Sequence, residues 1–238
     1  MQKDMDKNKY MLFWGTTKMV DVILADYRLL TLLPRFGISL GFSEKTVAEV
    51  CEKEGVNEHF FLMVCNIHTF DGYCPDSTEL TDVDIESMLQ YLKKSHDYYL
   101  FNRISSIEKK LAIMSGRCTG NHHKIISKFF AEYKQEVVKH FKYEEEIVFP
   151  NIHALIKGEK SDFHIVQYEE NHDNIDDKLN DLKNIIIKYL PDDCSTEDRN
   201  DILLDIFTFE EDLTKHTRIE NKILIPYVRQ IERNHGEK

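Results

Sequence analysis

Apolar residues between Thr17 and Leu30 fall at Val20, Ile23, Leu24, Tyr27 and Leu30, a spacing that predicts a helix capped by Thr17 and ended by Pro34 and Gly37. A second run opening at Ser43 carries Val47, Val50 and Cys51 on one face and stops at Gly55, where a left-handed residue closes a helix readily. A third begins near Asn57, contains Phe60, Phe61, Met63 and Val64, and gives way to a turn-rich linker from Asp71 to Ser77. Three short helices in residues 1–75 predict a small appendage near the lower size limit for independent folding.

From Thr81 the punctuation thins. Turn-like segments at 115–121, 157–162 and 191–197 divide the remainder into four stretches of about 30 residues with helical periodicity, and Ser195 with Asp198 reads as a cap for the last. Four helices with short connections predict an all-α fold whose residues 76–238 form an antiparallel up-down four-helix bundle.

One offset relates the two halves of that bundle. His96 and His172, His140 and His216, Glu144 and Glu220, and Pro150 and Pro226 are each 76 positions apart. Apolar pairs keep the register: Leu89 and Ile165, Leu92 and Tyr168, Tyr99 and Ile175, Ile126 and Ile202, Phe130 and Ile206, Tyr133 and Phe209, Val137 and Leu213, Ile147 and Ile223. Two copies of a helical hairpin are the simplest source of so many matches.

Positions 126, 130, 133, 137, 140 and 144 alternate steps of four and three, which places His140 and Glu144 on the buried seam of their helix. His216 and Glu220 follow in the last helix. Positions 89, 92, 96 and 99 put His96 on the seam of the first, and the shifted set does so for His172. A residue four further on lies about 6 Å along the axis on nearly the same face, so each His-x-x-x-Glu pair presents a nitrogen and a carboxylate together. Two buried carboxylates cost several kcal/mol each unless a cation compensates them. Four imidazoles and two carboxylates suit iron or another first-row metal rather than Mg or Ca, with dinuclear, mononuclear and zinc sites all open. If both glutamates bridge two metals, an open coordination position for O2, NO, peroxide or water follows.

Composition narrows the partners. The 238 residues carry 31 Lys and Arg against 42 Asp and Glu, a formal charge of −11, which argues against nucleic acid and anionic membrane surfaces. No apolar run reaches membrane-spanning length, and Met1 to Tyr10 is charged where a signal peptide would be apolar, so a cytoplasmic location is expected. Five cysteines without a C-x-x-C fit a reducing compartment. The remaining candidates read as ordinary: His122, His123, His153 and His164 as boundary histidines, Glu145 and Glu146 as a solvated face, Cys51 and Cys65 as helix-face residues, and Cys118 and Cys194 as turn residues. Tyr99 and Tyr133 read as core packing, with hydrogen bonding to the ligands as the alternative.

At Ser95-His96-Asp97, His140-Phe141-Lys142-Tyr143-Glu144, Asn171-His172-Asp173 and His216-Thr217-Arg218-Ile219-Glu220, with Pro150 and Pro226 expected to close each hairpin motif, the chain resembles the hemerythrin-like HHE domain. It resembles more closely the di-iron repair of iron centres family, also called the ScdA-type or RIC family. Arg35-Phe36-Gly37-Ile38 and Lys45-Thr46-Val47-Ala48-Glu49-Val50-Cys51 are similar to that family's small N-terminal domain. The resemblance implies a non-haem centre of two iron ions with an oxo or hydroxo bridge, ligated by His96, His140, Glu144, His172, His216 and Glu220, both glutamates bridging. It also implies iron-sulfur cluster repair or iron handling under nitric oxide and oxidative stress, with O2, NO and damaged iron-sulfur proteins as partners. The family's adjacent cysteines are missing: the chain reads Ser39-Leu40-Gly41-Phe42-Ser43, which shifts weight towards an O2 or NO sensor signalling to a partner. Asn171 stands where the family often has an acidic residue. An enzymatic role, reduction of NO or peroxide, would need an electron donor that the sequence does not identify.

Overall fold

The structure, a computed structural model, describes residues 12–81, 84–117, 122–159, 163–171, 176–190 and 195–236. Among them the chain is helical, with no strand beyond an isolated antiparallel bridge between Lys18 and Thr46. Two compact units emerge: Met1–Lys94 with Thr217–Gln230, and Ser95–His216 with Ile231–Lys238. No helix of the described residues is long and apolar enough to cross a membrane.

In the first unit, α1 (Met19–Ala25) ends sooner than the periodicity suggests, because Asp26 adopts extended backbone and its carboxylate accepts from the Arg28 N–H, capping a 3-10 turn over Tyr27–Thr31. Restarting the chain there rotates the register. The buried set is therefore Met19, Val22, Leu29, Leu32 and Leu33, while the expected Leu24 and Tyr27 are 79% and 76% exposed. Thr17 does not cap α1; its hydroxyl accepts from the Trp14 N–H, and Lys18 occupies the cap position. A short α2 (Leu33–Phe36) closes at Gly37, whose φ of 76° suits glycine.

The second expected run starts later than Ser43. Thr46 caps α3 (Val47–Glu54) in a reciprocal capping box with Glu49, and Val47, Val50 and Cys51 are buried as the pattern requires. Asn57 caps α4 (Glu58–Thr69), whose Phe60 and Phe61 are fully buried and meet Phe36; Tyr91 stacks on Phe36 at 4.6 Å. The linker ends where Asp76 accepts from the N–H groups of Thr78 and Glu79 at the start of α5 (Ser77–Thr81).

The helices that follow are α6 (Ile85–Asp97), α7 (Ser105–Arg117), α8 (His122–Tyr143), α9 (Phe149–Ile156), α10 (Ile165–Asn171), α11 (Asp176–Lys188), α12 (Thr196–Ile219) and α13 (Ile225–Gly236). Four helical segments of the second unit share one core, contributing among others Ile107, Leu111, Ile126, Phe130, Tyr133, Leu179, Leu182, Ile186, Ile202, Ile206 and Phe209. The Ser195 hydroxyl accepts from the Asp198 N–H at 3.3 Å, the cap expected for α12. The expected turns at 118–121, 160–162 and 191–194, with Cys118 and Cys194, lie outside the described residues.

Three π turns interrupt these helices, over Tyr98–Ile104, Glu144–Val148 and Glu220–Leu224. The last two begin on the paired glutamates and obey the 76-residue offset. Their cause is local: a proline has no N–H and its ring crowds the carbonyl four residues back, so Pro150 and Pro226 cannot continue an α ladder through Glu146 and Lys222. The ladder switches to a five-residue step, with the Phe149 N–H donating to the Glu144 carbonyl and the Ile225 N–H to that of Glu220. Each proline thus opens a further helix rather than closing the hairpin motif.

Candidate metal centre

The seam predicted in α8 is buried through Ile126, Phe130, Tyr133 and Val137 and leads to Glu144, which has no solvent exposure. Its shifted counterpart in α12 runs through Ile202, Ile206, Phe209 and Leu213 to His216 and Glu220, both buried. The seam of α6 is buried at Leu89, Leu92 and His96 and continues to Tyr99 in the π turn that follows. One pair breaks the register, since Ile147 is 44% exposed and Ile223 is not exposed at all.

His96, Glu144, His216 and Glu220 each offer a ligand atom, and those atoms all lie within 4.8 Å of one another, so the four can hold a metal ion. His96 Nε2 is 3.1 Å from Glu144 Oε2 and 3.3 Å from His216 Nε2. His140 approaches the other oxygen of the same carboxylate, with Nε2 3.0 Å from Glu144 Oε1. It is the least buried of the candidate ligand histidines that the structure describes, with a side chain 14% exposed. His172 lies outside the described residues.

Aromatic rings fix the imidazole planes. His96 stacks on Phe141 at 4.1 Å with the rings 6° from parallel, and Phe149 lies beyond at 5.9 Å. Tyr99 meets His216 edge to face at 5.4 Å. Its hydroxyl donates to the Asp212 carbonyl and carboxylate, so Tyr99 acts on His216 through its ring. Tyr133 is buried in the shared core.

Two polar contacts escaped the periodic reading. Glu145 is not part of a solvated face: its Oε1 lies 2.9 Å from His96 Nδ1 and its side chain is 27% exposed, whereas Glu146 is 64% exposed as expected. Tyr168, which the offset pairs with the apolar Leu92, donates its hydroxyl to Glu144 Oε1 at 2.5 Å. A hydroxyl on a stripe of metal-capable residues was the signal available for Tyr168. Glu145 had none, because a π turn carries more residues per turn and brings consecutive side chains closer in direction than α periodicity assumes.

The other singled-out groups stand apart from this cluster. His164 is exposed beside Glu232 at 3.8 Å, His153 is half-buried on α9, and the side chains of His122 and His123 lie outside the described residues. Burial pushes the Cys51 thiol up to about 12 and the Cys65 thiol well above its ordinary value, while Cys74 is exposed. Cys51 and Cys65 are therefore protonated packing groups at neutral pH.

Nitrogen and carboxylate donors in a buried cluster match first-row transition metals better than Mg or Ca, which favour all-oxygen shells. Burial adds a reason for a cation, since two enclosed carboxylates are costly without one. No curated protein matches the chain. Residues 87–228 match the family described as the hemerythrin HHE cation binding domain. This match spans more than half of the sequence and takes in every residue of the buried cluster: the chain belongs to the hemerythrin HHE cation-binding domain family.

Proposed function

We propose that the chain is a non-haem di-iron protein built on an antiparallel four-helix bundle, with His96, His140, Glu144, His172, His216 and Glu220 as ligands and both glutamates as bridges. The observation that carries this reading is the division of Glu144: one oxygen faces His96, which adjoins His216, and the other faces His140. That is the disposition of a carboxylate shared between two cations. His172 is assigned beside His140 by the 76-residue repeat alone. Bound iron would supply an electron-rich centre able to take O2 or NO at an open position. The protein's part is to hold the imidazole planes by stacking on Phe141 and Phe149, to fix the Glu144 carboxylate through Tyr168, and to keep the donors away from bulk water.

The function we propose for that centre, on the resemblance to the RIC or ScdA-type proteins, is iron-sulfur cluster repair or iron handling in the nitric oxide and oxidative stress response. Purified protein loaded anaerobically with Fe(II) is expected to hold about two metals per chain, to fall below one on Glu144→Ala, and to restore a damaged iron-sulfur enzyme. A loaded protein that returns no activity to the damaged enzyme overturns the repair role. A sensor of O2 or NO is the second reading, favoured by Arg218, which lies between His216 and Glu220 on the same helical run. Its guanidinium donates to the backbone carbonyls of Asp71 and Tyr73, tying the linker to the stretch that carries Glu220. Partner affinity that is the same in all metal states would sink this alternative.

A further inference from the structure

The 76-residue repeat makes the two candidate metal positions look equivalent, yet one residue next to the ligands separates them. Glu145 Oε1 lies 2.9 Å from His96 Nδ1, and the position related to it by the repeat is Asn221, an exposed neutral amide. We propose that Glu145 is a positioning residue that makes the metal position served by His96 and His216 the tighter of two unequal positions, so that it fills first. This rests on the di-iron reading and adds an order of occupancy to it.

An ionised carboxylate only accepts hydrogen bonds, so the proton of this contact sits on His96 Nδ1. That tautomer leaves the Nε2 lone pair directed at the ligand cluster, where Glu144 Oε2 and His216 Nε2 lie 3.1 and 3.3 Å away. The ring has little freedom to turn from this aim, being stacked on Phe141 at 6° from parallel. A carboxylate behind a ligating imidazole also increases the donor strength of the far nitrogen, and removing such a partner weakens metal binding by about 10 to 100-fold. The π turn beginning at Glu144 makes the arrangement available, since Glu144 reaches Nε2 of the ring while the next residue reaches Nδ1. Asn221 begins the matching step of the second π turn but brings no negative charge.

The test titrates metal-free protein with Fe(II), and separately Co(II), under anaerobic conditions, following heat and, for Co(II), the visible ligand-field bands. Wild type is expected to bind in two resolved phases. Glu145→Gln is expected to weaken the tight phase by about 10 to 100-fold, leaving the weak phase and the melting temperature of the metal-free protein in place, and Glu145→Asp to recover part of the loss. Two indistinguishable phases in wild type, or an unchanged tight phase in Glu145→Gln, would overturn the proposal while leaving the di-iron reading intact. Equal weakening of both phases with a lower melting temperature would assign Glu145 a structural role and overturn it too. Wild type that binds neither metal would remove the di-iron reading and this inference with it.

Discussion

Two regions of the molecule bury polar groups for opposite ends. In the first, two enclosed polar side chains meet matching protein groups: Asn66 accepts from the Phe13 N–H at 2.8 Å and donates to its carbonyl, and Asp26 is held by the Arg28 guanidinium and the Thr69 hydroxyl. Around these lies an aromatic core of Phe36, Phe60, Phe61 and Tyr91. In the second, a fully buried Glu144 faces His96 and His140. Asn66 and Asp26 close their electrostatics within the chain; the cluster around Glu144 gathers donors that a cation completes. Stability and metal binding are therefore separable, and mutations should divide along that line.

The largest effect is expected in the aromatic core. Phe60→Ala should cost about 3–5 kcal/mol in urea unfolding, with metal content per folded chain unchanged. Loss of metal in parallel with stability would erase the distinction. Glu144→Gln should do the reverse: metal retention is lost, while the metal-free protein gains about 1–2 kcal/mol because an enclosed charge is removed. A chelator should then lower the melting temperature of wild type and leave the variant unmoved.

Asp26 sharpens the contrast through pH. Burial alone would raise its carboxyl, but hydrogen bonds and charge from Arg28, with Thr69, hold it below the usual carboxylate range. A folded value below the unfolded one of about 3.9 gives a stabilisation that is complete above that pH and lost as pH falls through the folded value. The stability gap between wild type and Asp26→Asn should be flat from neutral pH down to about 5 and close below about 4. A gap independent of pH would detach the effect from the ion pair. The smallest effect is at the α3 cap: Thr46→Ala removes the hydroxyl that accepts from the Glu49 N–H and should cost about 1 kcal/mol, again without touching metal content.

Much of the helical unit was legible because its information is periodic. The steps of three and four that place Ile126, Phe130, Tyr133, Val137 and Glu144 on one stripe act within a single helix, and a buried stripe needs no knowledge of its partner. The repeat then selected His96, His140, His216 and Glu220 out of 11 histidines and many acids. Caps were legible where a side chain closes a loop of three residues, as at Asn57 and Ser195. The first helix was not, because two stripes of similar hydrophobicity compete between Val20 and Leu33. The choice was made by Asp26, whose break in the helix depends on Arg28 and on Thr69, 43 residues away.

Sequence by itself thus determined that the chain is helical, that it carries a duplicated His-x-x-x-Glu pattern, and that these residues belong inside. Only the tertiary structure decided which oxygen of Glu144 faces which imidazole, that Tyr168 donates to that carboxylate, and that Glu145 turns inward to His96. The reason is geometric. Periodicity fixes the direction of a side chain about its own helix axis, whereas hydrogen bonds between helices depend on their separation and on departures from α geometry such as the turn that Pro150 imposes.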